Sequence, residues 1–370
     1  MKSGILAILV VMISLAAPAS AQTPSPQTPE EAYVAVRPMI ADMQRIVTPE
    51  GIQTTERVRL GGMEQWISVR GADRSNPILI YVHGGPGAIE MGRSWPYQRG
   101  LEDYFTVVQW DQRGTGKTLR ENGEEATRPT LSRERMAEDL VELIGLMRER
   151  YGQRKVVLLG HSWGNVIGLD AAMQRPDWVS AYVGVGPLMD MRRNEAEQYR
   201  LLLELARERN DATALSELEP LAPYPGPGPL AFDRLNVVRK WVMLYGGLAA
   251  GRDNADFFFR AARLHPDYDL EDRRAIDAGG QLSVGTLLPE LIEVDQTVIR
   301  TTTFPVFMFL GRHDLTTPSG IAADWLEDLA APSKAVVWFE HSAHLPPHEE
   351  PGRFLVALVE HVLTPARDGR

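Results

Sequence analysis

Residues 160–164 read Gly160-His161-Ser162-Trp163-Gly164, after the apolar run at 156–159 and before a helix-patterned segment. Small residues two positions either side of a serine mark a strand-to-helix turn so tight that larger side chains would collide there. Such a turn lifts the hydroxyl above the sheet at the helix N-terminus, where it can act as a nucleophile. A serine hydroxyl needs a base, and the base needs a carboxylate to orient it. With an elbow of this kind the chain order is serine, acid, histidine. The run at 304–314 ends in Asp314, where a strand's C-terminal end would place the acid. Asp111 also ends a run, but it precedes the serine and is assigned a structural turn role. After the last apolar run come His341, His344 and His348. His341 is still leaving the strand and His348 begins the final helix, so His344 is the expected base. His161 is read as packing beside the nucleophile.

Attack on a carbonyl also creates an oxyanion, which needs preorganised donors. The stretch His83-Gly84-Gly85-Pro86-Gly87 follows an apolar run, in the position that supplies one such donor, and the amide after the nucleophile supplies the other. The expected donors are the Gly85 and Trp163 amides, with Gly84 as the alternative to Gly85. A second glycine-rich stretch, Gly114-Thr115-Gly116-Lys117-Thr118, looks like the end of a phosphate-binding loop, but Asp111 stands where that loop needs its first glycine. A carboxylate there repels phosphate, so nucleotide binding is excluded. No His/Asp/Glu cluster has clear metal-ligand spacing, so neither metal nor cofactor is expected.

These residues require a scaffold. Six apolar, β-rich runs at 76–85, 105–114, 155–164, 181–187, 304–314 and 335–344 each end in a glycine or polar cluster. Continuous apolar runs suit parallel strands buried on both faces. Residues 132–152 show helical spacing between a serine and a glycine. The pattern predicts an α/β fold with a doubly wound, mostly parallel sheet, residues 56–71 adding an antiparallel hairpin at its edge. From 188 to 303 the strand rhythm stops, predicting an inserted helical cap over the C-terminal edge of the sheet, where ligands bind in open α/β folds. The core is then 51–187 and 304–370.

At the N-terminus, Lys2, an apolar run at 5–17 and small residues Ala19 and Ala21 predict a cleaved signal peptide at 1–21, followed by a tether and lead-in segment at 22–50. No later run is long and apolar enough to span a bilayer, so an exported protein, periplasmic or extracellular in a bacterium, without stable membrane insertion after cleavage, is expected. The formal net charge of −10 and the absence of cysteine argue against nucleic-acid partners and a disulfide framework. A small molecule or short peptide is the expected substrate.

Taken together, HGGPG at 83–87, DQRGTGKT at 111–118, GHSWGN at 160–165, GRHD at 311–314 and HSAHLPPHEEP at 341–351 resemble the proline iminopeptidase group of α/β-hydrolases over nearly all of the chain after Val58. The resemblance implies a serine hydrolase of the aminopeptidase type. It also implies that Asp111 and Arg113 brace neighbouring loops. Family aminopeptidases hold the substrate's amino group with cap glutamates, one in a pattern like W-x-x-W-E-G. The comparable stretch here keeps Trp241 and Gly246 but has Leu244 and Tyr245 in place of Trp and Glu. Trp241, Tyr245 and, from the first cap helix, Glu195 and Glu204 are therefore the expected substrate-binding residues, with Glu197 on the same helix. An esterase or amidase with a remade cap pocket is the alternative, and a non-catalytic binding protein a third reading.

Overall fold

The computed structural model describes residues 29–369. The expected signal peptide and the first part of the tether lie outside the described residues. The lead-in is not all tether: helix α1 (Pro29–Met43) occupies it, with proline at its first position and Glu30 and Glu31 in the first turn, both of which favour a helix start. The segment is tied down by Arg37 Nε to the Arg263 carbonyl (3.1 Å) and Gln44 Nε2 to the Trp95 carbonyl (3.0 Å).

Eight strands form one sheet: β1 (Ile52–Leu60), β2 (Met63–Gly71), β3 (Ile78–Val82), β4 (Thr106–Asp111), β5 (Val156–His161), β6 (Val179–Val185), β7 (Val306–Gly311) and β8 (Lys334–Phe339). Their spatial order is β1-β2-β4-β3-β5-β6-β7-β8. The β1–β2 hairpin and the β2–β4 pairing are antiparallel; every other pairing is parallel. The hairpin turns through Gly61 and Gly62, both at positive φ (53° and 75°), as a two-residue turn matching strand twist requires. Successive strand residues enter opposite cores: Ile78, Ile80 and Val82 pack into one, Leu79 and Tyr81 into the other. This is why the strands read as unbroken apolar runs.

Helix α2 (Gly116–Asn122) follows β4, and α3 (Arg133–Tyr151) precedes β5. Ser132 Oγ accepts from the Arg135 amide (3.2 Å) and Gly152 ends α3 at φ 65°, so both predicted stops carry real caps. Helix α4 (Trp163–Gln174) follows β5. Between β6 and β7 the chain forms the cap, with α5 (Met191–Glu208), α6 (Phe232–Leu244) and α7 (Leu270–Leu291) as its long helices. Helices α8 (Ser319–Asp328) and α9 (Pro351–His361) complete the core.

The cap docks through α7. A Cβ on Gly279 would lie 2.6 Å from the Gly114 carbonyl, and one on Gly87 would lie 2.5 Å from the Gly279 carbonyl, so backbones touch where only glycine fits. Charge pins the same face: Lys117 Nζ and Arg120 reach Asp272 at 2.7 and 2.8 Å. The lysine of the phosphate-loop look-alike therefore anchors the cap helix. Arg113 meets Asp139 at 2.8 Å with both side chains buried, and its Nη2 also reaches the Leu60 and Gly61 carbonyls (3.4 and 3.1 Å). Removing one member of a buried pair leaves an uncompensated charge. Asp139→Ala is expected to lose about 3–5 kcal/mol in denaturant unfolding; a loss below about 1 kcal/mol would show that Arg113 finds water instead.

Candidate active site

The strand order reverses at β3, which has β4 on one side and β5 on the other. Loops leaving β3 and β5 therefore open a crevice at the sheet's C-terminal edge. Val82 pairs with Gly160, which places His83-Gly84 beside His161-Ser162. The turn after β5 is as tight as the glycine spacing requires. A Cβ on Gly160 would lie 2.6 Å from the Tyr182 hydroxyl, and one on Gly164 would fall onto the Val82 carbonyl. Ser162 adopts φ 55°, ψ −121°, a strained conformation for a residue with a side chain. Trp163 is the first residue of α4, so its amide lacks a carbonyl one turn back.

Asp314 follows β7 and His344 follows β8. His344 Nδ1 lies 2.8 Å from Asp314 Oδ2, and both side chains are buried. Asp314 Oδ1 accepts the Thr316 and Thr317 amides, both at 2.8 Å, and Thr317 Oγ1 lies 3.0 Å from Oδ2. The carboxylate is thus held by three donors besides the imidazole. Glu349 fixes the histidine loop, accepting the Ala343 and Leu345 amides (2.9 and 3.1 Å) and the Ala250 amide of the cap (2.6 Å). Ser162 and His344 line one cavity of about 480 Å³, a size suited to small ligands. They share no hydrogen bond here; bonds between such groups commonly form or tighten only with substrate in place. Gly84 and Gly85 line the cavity too. A Cβ on Gly84 would lie 2.9 Å from Ser162 Cβ, and Gly85 sits at φ 124°. His341 is exposed, and His348 points instead to Glu90 Oε1 at 2.9 Å.

The expected substrate-binding residues of the cap are placed elsewhere. Tyr245 OH donates to Asp211 (3.0 Å) and Trp241 Nε1 to Glu217 (2.9 Å), on the face of α6 turned from the cavity. Arg239, two residues before Trp241 and so roughly 200° around the helix, faces the cavity instead. Glu195 is fully buried but engaged by Arg239 and Tyr224, and so holds Arg239 in place. Glu204 is exposed and pairs with Arg200, which also pairs with Glu197. The cavity wall is completed by residues the sequence reading missed: Glu90 and Arg93 from the loop after Gly87, Asp277 and Ile276 from α7, and the apolar Leu248, Phe258, Phe259 and Leu345. Charged residues just beyond HGGPG were the available signal for the first two; for Asp277 there was none.

Asp111 accepts from the Tyr268 hydroxyl (2.7 Å) and the Lys117 amide (2.8 Å), bracing the turn after β4. Burial pushes its carboxyl up to about 6. Two imidazoles beside the elbow go the other way, as does the more distant His265. Burial holds His161 down to about 3 and His83 down to about 4. A neutral His161 donates from Nε2 to the His344 carbonyl at 2.9 Å, which ties the elbow to the histidine loop. In the unfolded chain both rings take up protons near pH 6.5, whereas the folded chain keeps them neutral, so stability falls as pH drops from about 6.5 toward 4. Each ring contributes about 1.4 kcal/mol per pH unit there, and Asp111, protonated in the folded state below about pH 6, offsets roughly one of them. His161→Asn should therefore flatten the pH dependence of unfolding by about 1.4 kcal/mol per unit between pH 6 and 4.5. An unchanged slope would mean that His161 is charged in the fold.

The chain's residues 79–358 match the model of the alpha/beta hydrolase family. It is 28% identical over 316 residues to the probable aminopeptidase YbaC of Bacillus subtilis, covering 84% of this chain and 97% of that one. It is 28% identical over 305 residues to a proline iminopeptidase of Neisseria meningitidis, covering 77% and 88%. Among solved structures, the proline iminopeptidase of Mycobacterium smegmatis superposes with a TM-score of 0.64 at 18% identity, covering 86% of this chain and all of that one, a likeness of fold.

Proposed function

Because the chain belongs to the alpha/beta hydrolase family, we propose that it is a serine hydrolase that releases the N-terminal residue from short peptides or related amides. The observation that carries this reading is the His344–Asp314 pair at 2.8 Å, buried in the wall of the cavity that Ser162 enters from a strained elbow. Ser162 Oγ attacks the substrate carbonyl carbon while His344 Nε2 takes its proton, and Asp314 orients the ring and stabilises the imidazolium. The amides of Trp163 and Gly85, or Gly84, receive the negative oxygen. His344 then protonates the departing amine, the C–N bond breaks, and an acyl-enzyme remains. Water, deprotonated by His344, attacks that ester, and the proton returns to Ser162 Oγ as the acid leaves.

The peptide substrate rests on two supports: curated relatives named as aminopeptidases, and a free carboxylate in the cavity. Asp277, an exposed residue at the cap side of the cavity, forms no ion pair or hydrogen bond with another described residue and acts on Arg93 only through space, so it can receive the substrate ammonium in place of the family's cap glutamate. An esterase or amidase is favoured instead by the apolar wall of Leu248, Phe258, Phe259, Ile276 and Leu345, which suits an uncharged acyl group. The two are separated by kcat/KM for prolyl β-naphthylamide, its N-acetyl derivative and 4-nitrophenyl butyrate. The aminopeptidase reading expects the free amine to be preferred by ~10–100-fold and the preference to shrink about tenfold in Asp277→Asn. Equal or better turnover of the acetylated compound or the ester favours the second reading. Ser162→Ala and His344→Ala should each fold normally and keep only the residual ~10³–10⁴ over water that an oxyanion hole provides. Turnover within tenfold of the parent in either would overturn its assigned role.

We also place the protein outside the cytoplasm, a reading supported by the leader-like residues at 1–21. The mature protein from its native bacterium should begin at Gln22; recovery from the cytoplasm with Met1 or Lys2 at its N-terminus would contradict this.

A further inference from the structure

Arg93 lies six residues beyond Gly87, on the loop that carries the expected oxyanion donor, and it is 5% exposed. It lines the same cavity as Ser162. Buried guanidinium groups are ordinarily matched by a carboxylate. Arg113 has Asp139 and Arg239 has Glu195, but Arg93 has no ion pair among the described residues. Its one hydrogen bond runs from Nη1 to the Ile89 carbonyl (3.3 Å), and its Nε is buried without any acceptor. Phe258 covers one face of the group, with the guanidinium carbon 4.6 Å from the ring centroid. Glu90, Asp111 and Asp277 act on its charge through space, but none of them forms an ion pair with it, and Glu90 Oε1 takes the Tyr97 hydroxyl (2.7 Å) and His348 Nε2 (2.9 Å). What remains is a planar guanidinium group in the cavity wall, backed by an aromatic ring and with one buried nitrogen lacking an acceptor. Guanidinium binds carboxylates bidentately in this geometry.

We infer that Arg93 receives a carboxylate of the substrate, so that the cavity selects short substrates bearing a free acid close to the scissile bond. This deepens the proposed hydrolase reading and rests on it. On a dipeptide the acid is the C-terminal carboxylate of the departing residue. With Asp277 holding the ammonium, the two charges of the cavity wall that lack ion-pair partners then match the two ends of an unblocked dipeptide. On an ester, the acid would instead sit at the far end of the acyl chain.

The test compares matched pairs in the parent protein. Prolyl-glycine is set against prolyl-glycinamide, and mono-4-nitrophenyl glutarate against 4-nitrophenyl butyrate. A charge-assisted fork should favour the acid of one pair by ~10–100-fold in kcat/KM. That preference should vanish in Arg93→Met and be only partly retained in Arg93→Lys, which keeps the charge but not the fork. Calorimetric binding of prolyl-glycine and its amide to Ser162→Ala gives the same comparison without turnover. An acid preference confined to the ester pair would sustain the carboxylate site while refuting the peptide substrate. If the parent shows no acid preference in either pair, or if Arg93→Met retains it, the assignment is overturned, and neither result requires the variant to fold as well as the parent.

Discussion

The molecule is organised around one close approach of backbones, where the turn after β5 lies against the end of β3. A Cβ on Gly164 would occupy the Val82 carbonyl, and one on Gly84 would press on Ser162 Cβ. That contact holds Ser162 at φ 55°. Strain of this kind persists only where the surroundings over-determine it, and here they do so by pairing β3 with β5 through Val82 and Gly160 and by burying both strands on both faces. The elbow and the HGGPG loop are consequently one rigid unit. The cap joins that unit through the same device, since Gly87 and Gly114 meet Gly279 and Gly280 of α7. A displacement of α7 would be felt directly at Gly87 and Gly114.

Electrostatics divides the carboxylates around the cavity and its loops into those that hold backbone and those left to act. Glu349 and Glu350 fix the loop around His344, Glu350 Oε2 taking the His341 amide and the Ser342 hydroxyl (3.0 and 2.7 Å). Asp111 braces the turn after β4, and Asp139 neutralises Arg113. Asp314 does both, binding two amides through Oδ1 and the imidazole through Oδ2. Anchoring the carboxylate to amides of its own turn keeps it directed at His344 without relying on the cap. Of the charged residues lining the cavity, Arg239 and Glu90 are matched by partners, whereas Arg93 and Asp277 are not paired.

Much of this was readable in the sequence because it depends on local rules. Unbroken apolar runs meant strands buried on both faces, Ser132 and Gly152 meant a capped helix, and the spacing around Ser162 meant an elbow; each of these follows from sterics within a few residues. That His344, rather than His341 or His348, meets Asp314 was also legible, since distance beyond the strand decides which ring can loop back. The cap was harder. Which face of α6 meets the cavity depends on how α6 packs against Asp211 and Glu217, and no local pattern encodes that, so Trp241 and Tyr245 were expected where Arg239 stands. Glu195 was similarly misread: an acid on a helix carries no mark of the arginine it meets 44 residues later. Helix α1 was not foreseen, because the Pro/Gln/Thr-rich stretch at 22–31 reads as tether and the lead-in after it offers no strong helical pattern.

The account turns on Ser162 being a hydroxyl activated by His344 within a preorganised oxyanion site. The most direct measurement is stoichiometric labelling of the folded protein with a fluorophosphonate, followed by mass-spectrometric mapping of the adduct. The account predicts one adduct per chain, on Ser162, forming at least about a hundredfold more slowly in His344→Ala, as expected when a general base is removed. Labelling on a different serine, or labelling of Ser162 at an undiminished rate without His344, would contradict it.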